Sequence, residues 1–346
     1  MNYLNKIKRL ILIYIWSSSS IKPLINNYLE LSKHKLIKKN KLVLGVYDYG
    51  SYEHPYSIGD FLFYIFFYKC FTIYKKKIEL IIICDNKKKL NTFQKKTLKL
   101  HLKLTKIFLS KYLHKVSVCD WKAFKKKNFQ NYYIPYQDDV FKRKDLRLNL
   151  VSMFNKMIIN TSHRFMNDYL INKNSFDEFK KKTPKNYITW HIRHNPKWAV
   201  HRNINKLEFI EIYNILRKKI KSTPIIIISD NLGCAFAKSQ AKKNNLNLFF
   251  CKDFSKSLFS DFFLIMHSKL FITFKAGGML VIPWFSKLNF IWGGTIGYKN
   301  QYASGRSLSF TKLHFWHTKN QCWINSNSFG FFKHKVEKMN FKRFGL

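Results

Sequence analysis

The chain has 346 residues, which is enough for two domains of ordinary size. Its 46% hydrophobic and 24% charged residues exclude a disordered polymer and indicate a globular protein with a sizeable core. The net charge of +44 indicates a polyanionic partner, either nucleic acid or an anionic membrane. However, the excess is mostly lysine and comes with many Asn, Ile, Phe and Tyr residues, which share A/T-rich codons. A biased genome would therefore give the same charge.

The six cysteines form no CxxC pair and no Cys/His metal-binding spacing, and they lie mainly in apolar stretches. Thiols in such settings behave as small hydrophobic groups, which predicts a reduced, cytoplasmic protein. The N-terminal segment, residues 1–40, combines basic residues with the apolar run LILIYIW, which is too short to cross a bilayer. We expect a basic helical segment that lies on the protein or on the inner face of an anionic membrane.

The first half of the chain alternates strand-like and helix-like segments. A long apolar helix is predicted at Ile58–Tyr74, and a Lys-rich segment that ends at His114 is helix-like, although its alternating leucines also fit a strand. The predicted strands are Leu42–Tyr47, Glu79–Cys84 and Val116–Cys119. This alternation predicts a parallel sheet with helices on both faces, in a Rossmann-like domain at residues 41–171.

The second half repeats the alternation after a polar, Lys-rich linker at residues 172–184. The predicted strands are Tyr187–Ile192, Ile225–Ile228, Leu246–Phe250, Leu270–Phe274 and, as the last strand, Phe290–Trp292. The predicted helices are Leu207–Ile220, a helix that ends near Lys243, Ser257–Ser268 and Met279–Phe285. We therefore predict an α/β fold in which two Rossmann-like domains face each other across a cleft. The second domain covers residues 185–330, and a basic tail follows at residues 331–346.

The most informative segment is YITWHIRHNPKWAVHRN, residues 187–203, in which a strand runs into a polar, cationic loop. Ligands of open α/β sheets bind at the carboxyl ends of strands. Because Arg is scarce in this chain, Arg193 and Arg202 in one loop indicate a site that grips a diphosphate through paired hydrogen bonds. His191 and Arg193 would share one face of the strand, and Asn203 would cap the next helix. The alternative is that Arg193 pairs with a carboxylate and that the histidines are solvated.

Two further strand ends carry candidate ligand contacts. Asp230 follows a fully apolar strand, where a carboxylate either contacts a ribose or caps the next helix. The sequence Lys275-Ala-Gly-Gly278 follows another buried strand. Gly277 and Gly278 would let an anion approach helix N-terminal amides, or they would permit tight packing of strand and helix.

The first half of the chain supplies the candidates for a catalytic base. An inverting sugar transfer needs a base that removes the proton of the acceptor hydroxyl. Asp48, Glu53 and His54 cluster around the loop after the first strand and are the candidates, whereas Asp60 has an alternative role as a helix N-terminal charge. The sequence contains no DxD, no HExxH and no cysteine cluster, so no metal site is predicted.

These motifs resemble nucleotide-sugar glycosyltransferases of the two-domain GT-B type, and most closely the fucosyltransferase-like group. WHIRHNPKWAVHRN is similar to the group's strand that ends in His-x-Arg, with His191 and Arg193 in the matching places. LFITFKAGG is similar to its turn near the donor, and VYDYGSYEHPYSIGDFLFYI looks like the opening segment of bacterial relatives acting on surface polysaccharide. The resemblance implies that Arg193 binds the donor pyrophosphate without a metal. His194 and Asn195 replace a second basic residue, so the resemblance does not specify the donor sugar.

The sequence therefore predicts a metal-independent, inverting glycosyltransferase that needs no cofactor. Its expected partners are a nucleotide-sugar donor, a glycan or lipid-linked acceptor, and the surface of an anionic membrane. The alternative is a non-enzymatic protein that binds nucleic acid or another polyanion, and salt would weaken its binding steeply.

Overall fold

The computed structural model divides into two units. Unit 1 comprises Met1–Asn160 and Gly297–His314, and unit 2 comprises Thr161–Ile296 and Phe315–Leu346. The residues that the structure describes are 42–49, 56–69, 77–84, 90–125, 132–134, 179–197, 200–275, 278–284, 286, 288–294, 321–324 and 326–346. The basic segment predicted at residues 1–40 and most of the predicted linker lie outside them.

Unit 1 contains a parallel sheet with the strand order β3-β2-β1-β4. Its strands are β1 (Leu42–Asp48), β2 (Lys77–Ile83), β3 (Leu113–Cys119) and β4 (Tyr132–Ile134). Val46 of β1 and Ile81, Ile82 and Ile83 of β2 are fully buried, as expected for a parallel sheet that is covered on both faces. The three strands predicted for this half of the chain are confirmed, with limits that differ by a few residues.

Helices pack on this sheet. They are α1 (Ile58–Lys69), α2 (Thr92–Leu109) and the short α3 (Trp121–Lys125). α2 begins with a capping box, because the side chain of Asn91 accepts from the backbone N–H of Gln94 (2.9 Å) and the side chain of Gln94 accepts from that of Asn91 (3.0 Å). One face of α2, including Leu104 and Phe108, is fully buried. The Lys-rich segment is therefore a helix and not a strand.

Gly45, in the middle of β1, lets the ring of Tyr68 from α1 lie directly on the strand. A β-carbon at this position would be 2.5 Å from Cζ of Tyr68. The ring has little room to move, because it is fully buried and its hydroxyl is hydrogen-bonded to that of Tyr64 at 2.7 Å. We expect Gly45→Ala to lower the free energy of unfolding by about 1–3 kcal/mol, measured by chemical denaturation. An unchanged free energy would contradict this packing of α1 on β1.

Unit 2 contains a larger parallel sheet with the strand order β10-β9-β8-β5-β6-β7. Its strands are β5 (Ile188–His191), β6 (Ile225–Ile228), β7 (Phe249–Phe250), β8 (Phe271–Phe274), β9 (Phe290–Gly293) and β10 (Gln321–Ile324). Every residue of β5, β6, β8 and β9 is buried. The fully apolar runs that predict central strands are thus confirmed as central strands.

The strand order of unit 2 contains one reversal. Starting from β5, the chain adds β6 and β7 on one side, returns across β5, and adds β8, β9 and β10 on the other. This is the order of a doubly wound sheet, and such sheets open a ligand crevice at the carboxyl ends of the two strands that flank the reversal. In unit 2 these strands are β5 and β8. Unit 1 has the same kind of reversal, between β1 and β4.

Unit 2 also contains helices, and several of them contribute side chains to its core. They are α4 (Lys206–Ile220), α5 (Asn231–Lys243), α6 (Cys251–Phe254), α7 (Leu258–Met266), α8 (Val281–Trp284) and α9 (Phe329–Glu337). The indole of Trp190 in β5 stacks on the ring of Phe209 in α4, with a centroid distance of 4.7 Å. Over the described part of the chain, no helix combines the length and apolarity needed to cross a bilayer.

The chain after β9 differs from the expectation. The prediction that Phe290–Trp292 is the last strand is wrong, because β10 pairs in parallel with β9. β10 has the short sequence QCWI, which lacks the apolar run that marks the other strands. Within the predicted basic tail, the lysines at 335, 338 and 342 are exposed. The same segment contributes apolar side chains to the core of unit 2, namely Phe332, Val336, Phe341 and Phe344.

Candidate functional site

The cationic loop predicted from the sequence lies where the sheet of unit 2 reverses. His191 is the last residue of β5, and Arg193 follows two residues later. Arg202 lies in the 3-10 turn Val200–Arg202, and its Nε donates to the carbonyl oxygen of Lys275 at 3.5 Å. Since Lys275 directly follows β8, the loop after β5 reaches the end of β8. Residues from both sides of the reversal therefore contribute to one candidate site.

The side chain of Asn203 holds the loop together through hydrogen bonds to residues at its start. Its Oδ1 accepts from Nη1 of Arg193 (2.7 Å) and from the backbone N–H of Asn195 (2.9 Å), and its Nδ2 donates to the Asn195 carbonyl (2.8 Å). The backbone N–H of Ile204 also donates to the carbonyl of Arg193 (3.0 Å). These bonds fix the position of Arg193 and give its guanidinium an amide partner.

The prediction that Asn203 caps the following helix is wrong. The N-cap of α4 is Asn205, whose side chain accepts from the backbone N–H of Glu208 at 2.9 Å. In turn, Oε2 of Glu208 accepts from the backbone N–H of Asn205 at 3.0 Å. This reciprocal pair is a capping box, and the pattern Asn-x-x-Glu was the signal in the sequence that identifies it.

His191 is a buried, neutral imidazole. It is 8% exposed, and its Nδ1 lies 3.5 Å from Oγ1 of Thr273 on β8. Burial, together with the positive charges of Arg202 and Arg193, lowers the pKa of His191 to about 3. At neutral pH the ring therefore carries no charge and supplies one N–H donor and one acceptor.

The low pKa of His191 makes the stability of the protein depend on pH. The unfolded chain binds a proton at this side chain below about pH 6.5, whereas the folded chain binds it only near pH 3, so stability falls as pH decreases through this window. Between pH 8 and pH 5, we expect His191→Asn to lose about 2 kcal/mol less unfolding free energy than the wild type. Urea unfolding at the two pH values measures this difference. Equal losses in both proteins would contradict the neutral, buried state of His191.

Arg193 and Arg202 lie close enough to repel each other. Burial and the charge of Arg202 lower the pKa of Arg193, and Asp230 offsets part of this effect. Both guanidinium groups stay charged at neutral pH. Two like charges that lie close together in a partly buried place repel each other, which destabilises this part of the fold. An anion bound there would be stabilised by both guanidinium groups.

Asp230 follows β6 and occupies the N-cap of α5. Its Oδ1 accepts from the backbone N–H of Gly233 at 2.8 Å, which confirms the capping alternative. The preceding residue, Ser229, donates from Oγ to the carbonyl of Ile192 at 2.9 Å and so joins the carboxyl ends of β6 and β5. A contact of Asp230 with a ribose stays a prediction.

A buried ion pair beside the loop was missed by sequence reasoning. Nζ of Lys275 lies 2.5 Å from Oε1 of Glu208, and the two side chains are 18% and 6% exposed. Lys275 has a positive φ of 60°, a left-handed conformation that is uncommon for a residue other than glycine. No local pattern predicts this pair, because Glu208 and Lys275 are 67 residues apart in the chain.

The roles of the other predicted site residues stay predictions. Gly278 begins the 3-10 turn Gly278–Leu280, so the helix predicted at Met279–Phe285 is a 3-10 turn followed by the four-residue α8. Asp48 is the last residue of β1, at the reversal in the sheet of unit 1. Gly277, Glu53 and His54 lie outside the described residues. Among the described residues, no group of three His, Cys, Asp or Glu side chains is arranged to bind a metal.

Known proteins show only distant similarity to this chain. No protein-family model matches it, and no curated protein matches it. One similar solved structure is the UDP-GlcNAc 2-epimerase from Methanocaldococcus jannaschii, with 12% identity over 94% of this chain and 77% of that chain and a TM-score of 0.33. Another is the wall teichoic acid polymerase TagF, with 12% identity over 94% of this chain and 92% of that chain and a TM-score of 0.31.

Proposed function

We propose that unit 2 binds the diphosphate of a nucleotide-sugar at the carboxyl ends of β5 and β8. The observation that carries this proposal is the convergence of Arg193 and Arg202 at the reversal of the sheet, where Arg202 donates to the backbone of Lys275. A diphosphate carries about two negative charges, which would offset the repulsion between the two guanidinium groups. Neutral His191 would add a hydrogen bond without adding charge.

The reaction that fits such a site is an inverting glycosyl transfer. The acceptor hydroxyl oxygen forms a bond to the anomeric carbon while the bond from that carbon to the β-phosphate oxygen breaks, and the electron pair leaves with the nucleoside diphosphate. Arg193 and Arg202 would stabilise the charge on the leaving oxygen. A base from unit 1, chosen among Asp48, Glu53 and His54, would take the acceptor proton.

This proposal assigns a role to each domain. Residues 41–171 would form the acceptor-side domain and residues 185–330 the donor-binding domain. Gly277 and Gly278 would lie beside the phosphates, and Asp230 beside the ribose. The acceptor would be a glycan or a lipid-linked glycan of surface polysaccharide synthesis, reached at the cytoplasmic face of the membrane, and neither a metal nor a cofactor would take part.

A thermal-shift screen of the full chain against UDP-, GDP-, CDP- and dTDP-sugars tests this proposal. A ligand at a hundred times its Kd stabilises the folded state by about 2.7 kcal/mol, which raises the melting temperature by several degrees. We expect at least one donor to do so and its free nucleoside to do so less. If no nucleotide-sugar raises the melting temperature but heparin or duplex DNA does, the polyanion-binding alternative is the correct one.

A further inference from the structure

We infer that Cys234 and Cys251 form a site of reversible oxidation, at which a peroxide converts the two thiols into one disulfide that joins α5 to α6. Both side chains are free thiols in the structure, and their Sγ atoms lie 3.8 Å apart. Cys234 lies in the first turn of α5, and Cys251 is the first residue of α6. The inference does not depend on the proposed function.

The fold of unit 2 brings the two sulfur atoms together. Cys251 directly follows β7, which pairs in parallel with β6, and Cys234 lies in the helix that follows β6. The carbonyl oxygen of Ser229 lies 3.4 Å from Sγ of Cys251 and 3.7 Å from Sγ of Cys234, so both thiols point towards one acceptor. Bonded sulfur atoms are about 2 Å apart, so each sulfur would move by about 1 Å to form the disulfide. This displacement is shorter than a carbon–sulfur bond.

The two thiols differ in acidity, which decides which sulfur attacks the peroxide. The hydrogen bond from Cys251, together with the positive charge of Lys252, lowers the pKa of Cys234. The hydrogen bond to Cys234, burial and the negative charge of Asp261 raise the pKa of Cys251. Because the thiolate and not the thiol reacts with peroxides, Cys234 is the attacking group and Cys251 is the resolving group.

The oxidation takes one molecule of hydrogen peroxide and two steps. The Cys234 thiolate attacks one peroxide oxygen, the O–O bond breaks, and the departing hydroxide takes up the proton that Cys234 released. Cys234 is then a sulfenic acid. The sulfur of Cys251 attacks the sulfur of Cys234, the S–O bond breaks, and the hydroxide leaves as water with the thiol proton of Cys251. Each sulfur loses one electron, the peroxide gains two, and a dithiol reductant reverses the reaction.

The surroundings of the pair exceed what the packing of small apolar groups requires. A thiol that only fills space needs no charge beside it. Here Nζ of Lys252 lies 2.5 Å from Oδ2 of Asp261, and the two side chains are only 16% and 3% exposed. Ser229, whose carbonyl both thiols face, also donates to the carbonyl of Ile192 just after β5. The disulfide would remove both S–H groups from this carbonyl, next to the candidate site.

Peptide mapping of the full chain after peroxide treatment tests the inference. The reduced, folded protein is exposed to a small excess of hydrogen peroxide at neutral pH, and the remaining thiols are blocked with iodoacetamide in urea. Mass spectrometry of the digest then identifies which cysteines are joined. Peroxide treatment of the chain unfolded in urea is one control. The variants Cys234→Ser and Cys251→Ser are treated in the same way, with Cys322→Ser as the matched control, and melting temperatures show that they are folded.

We expect a peptide that joins Cys234 to Cys251 to be the main disulfide product of the folded wild type and of Cys322→Ser, and dithiothreitol should remove it. In Cys251→Ser the second step is blocked, so Cys234 should carry added oxygen. Absence of the joined peptide from the folded wild type, or a main product that joins other cysteines, would overturn the inference.

Two further outcomes would also overturn it. Equal yields of the joined peptide from the folded and the unfolded chain would mean that the fold does not bring the two thiols together. Added oxygen on Cys251 in Cys234→Ser, with none on Cys234 in Cys251→Ser, would contradict the assignment of Cys234 as the attacking group. The mapping of the wild type needs no variant, so it decides the first point even if a serine substitution impairs folding.

Discussion

Arg193→Ala is expected to weaken the binding of a nucleoside diphosphate about a hundredfold. A guanidinium that makes charge-assisted hydrogen bonds to a phosphate contributes about 1.5–3 kcal/mol, and a hundredfold change in Kd corresponds to about 2.7 kcal/mol. Asn203 holds the guanidinium in position through a bond of 2.7 Å, so little side-chain freedom is lost on binding. Isothermal titration calorimetry of the wild type and the variant measures the change.

Two control variants separate geometry from charge. Arg193→Lys keeps the charge but loses the planar, paired donors, so its Kd should lie between those of the wild type and Arg193→Ala. Lys197→Ala removes one exposed positive charge from the same loop and should change the Kd by less than about threefold. Equal weakening by Lys197→Ala and Arg193→Ala would mean that the loop acts only through its overall charge.

Glu208→Ala is expected to lower the free energy of unfolding by about 3–5 kcal/mol. The side chain accepts from Nζ of Lys275 with one oxygen and from the backbone N–H of Asn205 with the other. Its removal leaves a largely buried ammonium group without this partner and also breaks the capping box of α4. Chemical denaturation at neutral pH measures the loss.

Matched variants show which part of this effect comes from the ion pair. Glu208→Gln preserves an acceptor for the capping box but removes the charge, so it should lose less than Glu208→Ala. Glu211→Ala breaks the more exposed pair with Lys333 and should lower the free energy of unfolding far less than Glu208→Ala does. If Glu208→Ala and Glu211→Ala destabilise the protein equally, the buried pair does not hold the start of α4 to the end of β8.

The elements were predictable where the sequence has a strong local pattern. The run IIII at β6 and the apolar run of β1 each predict a buried strand, and both are strands. The strand order was not predictable, because the pairing of β5 with β8 joins residues about 80 positions apart. That order is what places the loop after β5 beside the end of β8. β10 was not predicted, because its four residues include the polar Gln321 and so form no apolar run.

The candidate site was predictable only where its residues form a local pattern in the sequence. Arg193 and Arg202 were predictable as site residues, because arginine is rare in the chain and both occur in one loop. The interactions that position them are non-local or depend on the conformation of the loop. Asn203 lies where a helix cap was expected, but the loop folds so that its amide meets Arg193 at 2.7 Å. Such contacts follow from the folded backbone and have no fixed spacing in the sequence.

The most direct test of the diphosphate site is a comparison of ligands that differ only in their phosphates. Calorimetry would give the Kd of a nucleoside, its monophosphate and its diphosphate for the wild type and for the double variant Arg193→Ala/Arg202→Ala. We predict that the wild type binds the diphosphate at least about tenfold more tightly than the monophosphate, and that the double variant loses this preference. Equal binding of nucleoside and diphosphate by the wild type, or an unchanged preference in the double variant, would contradict a diphosphate site at the ends of β5 and β8.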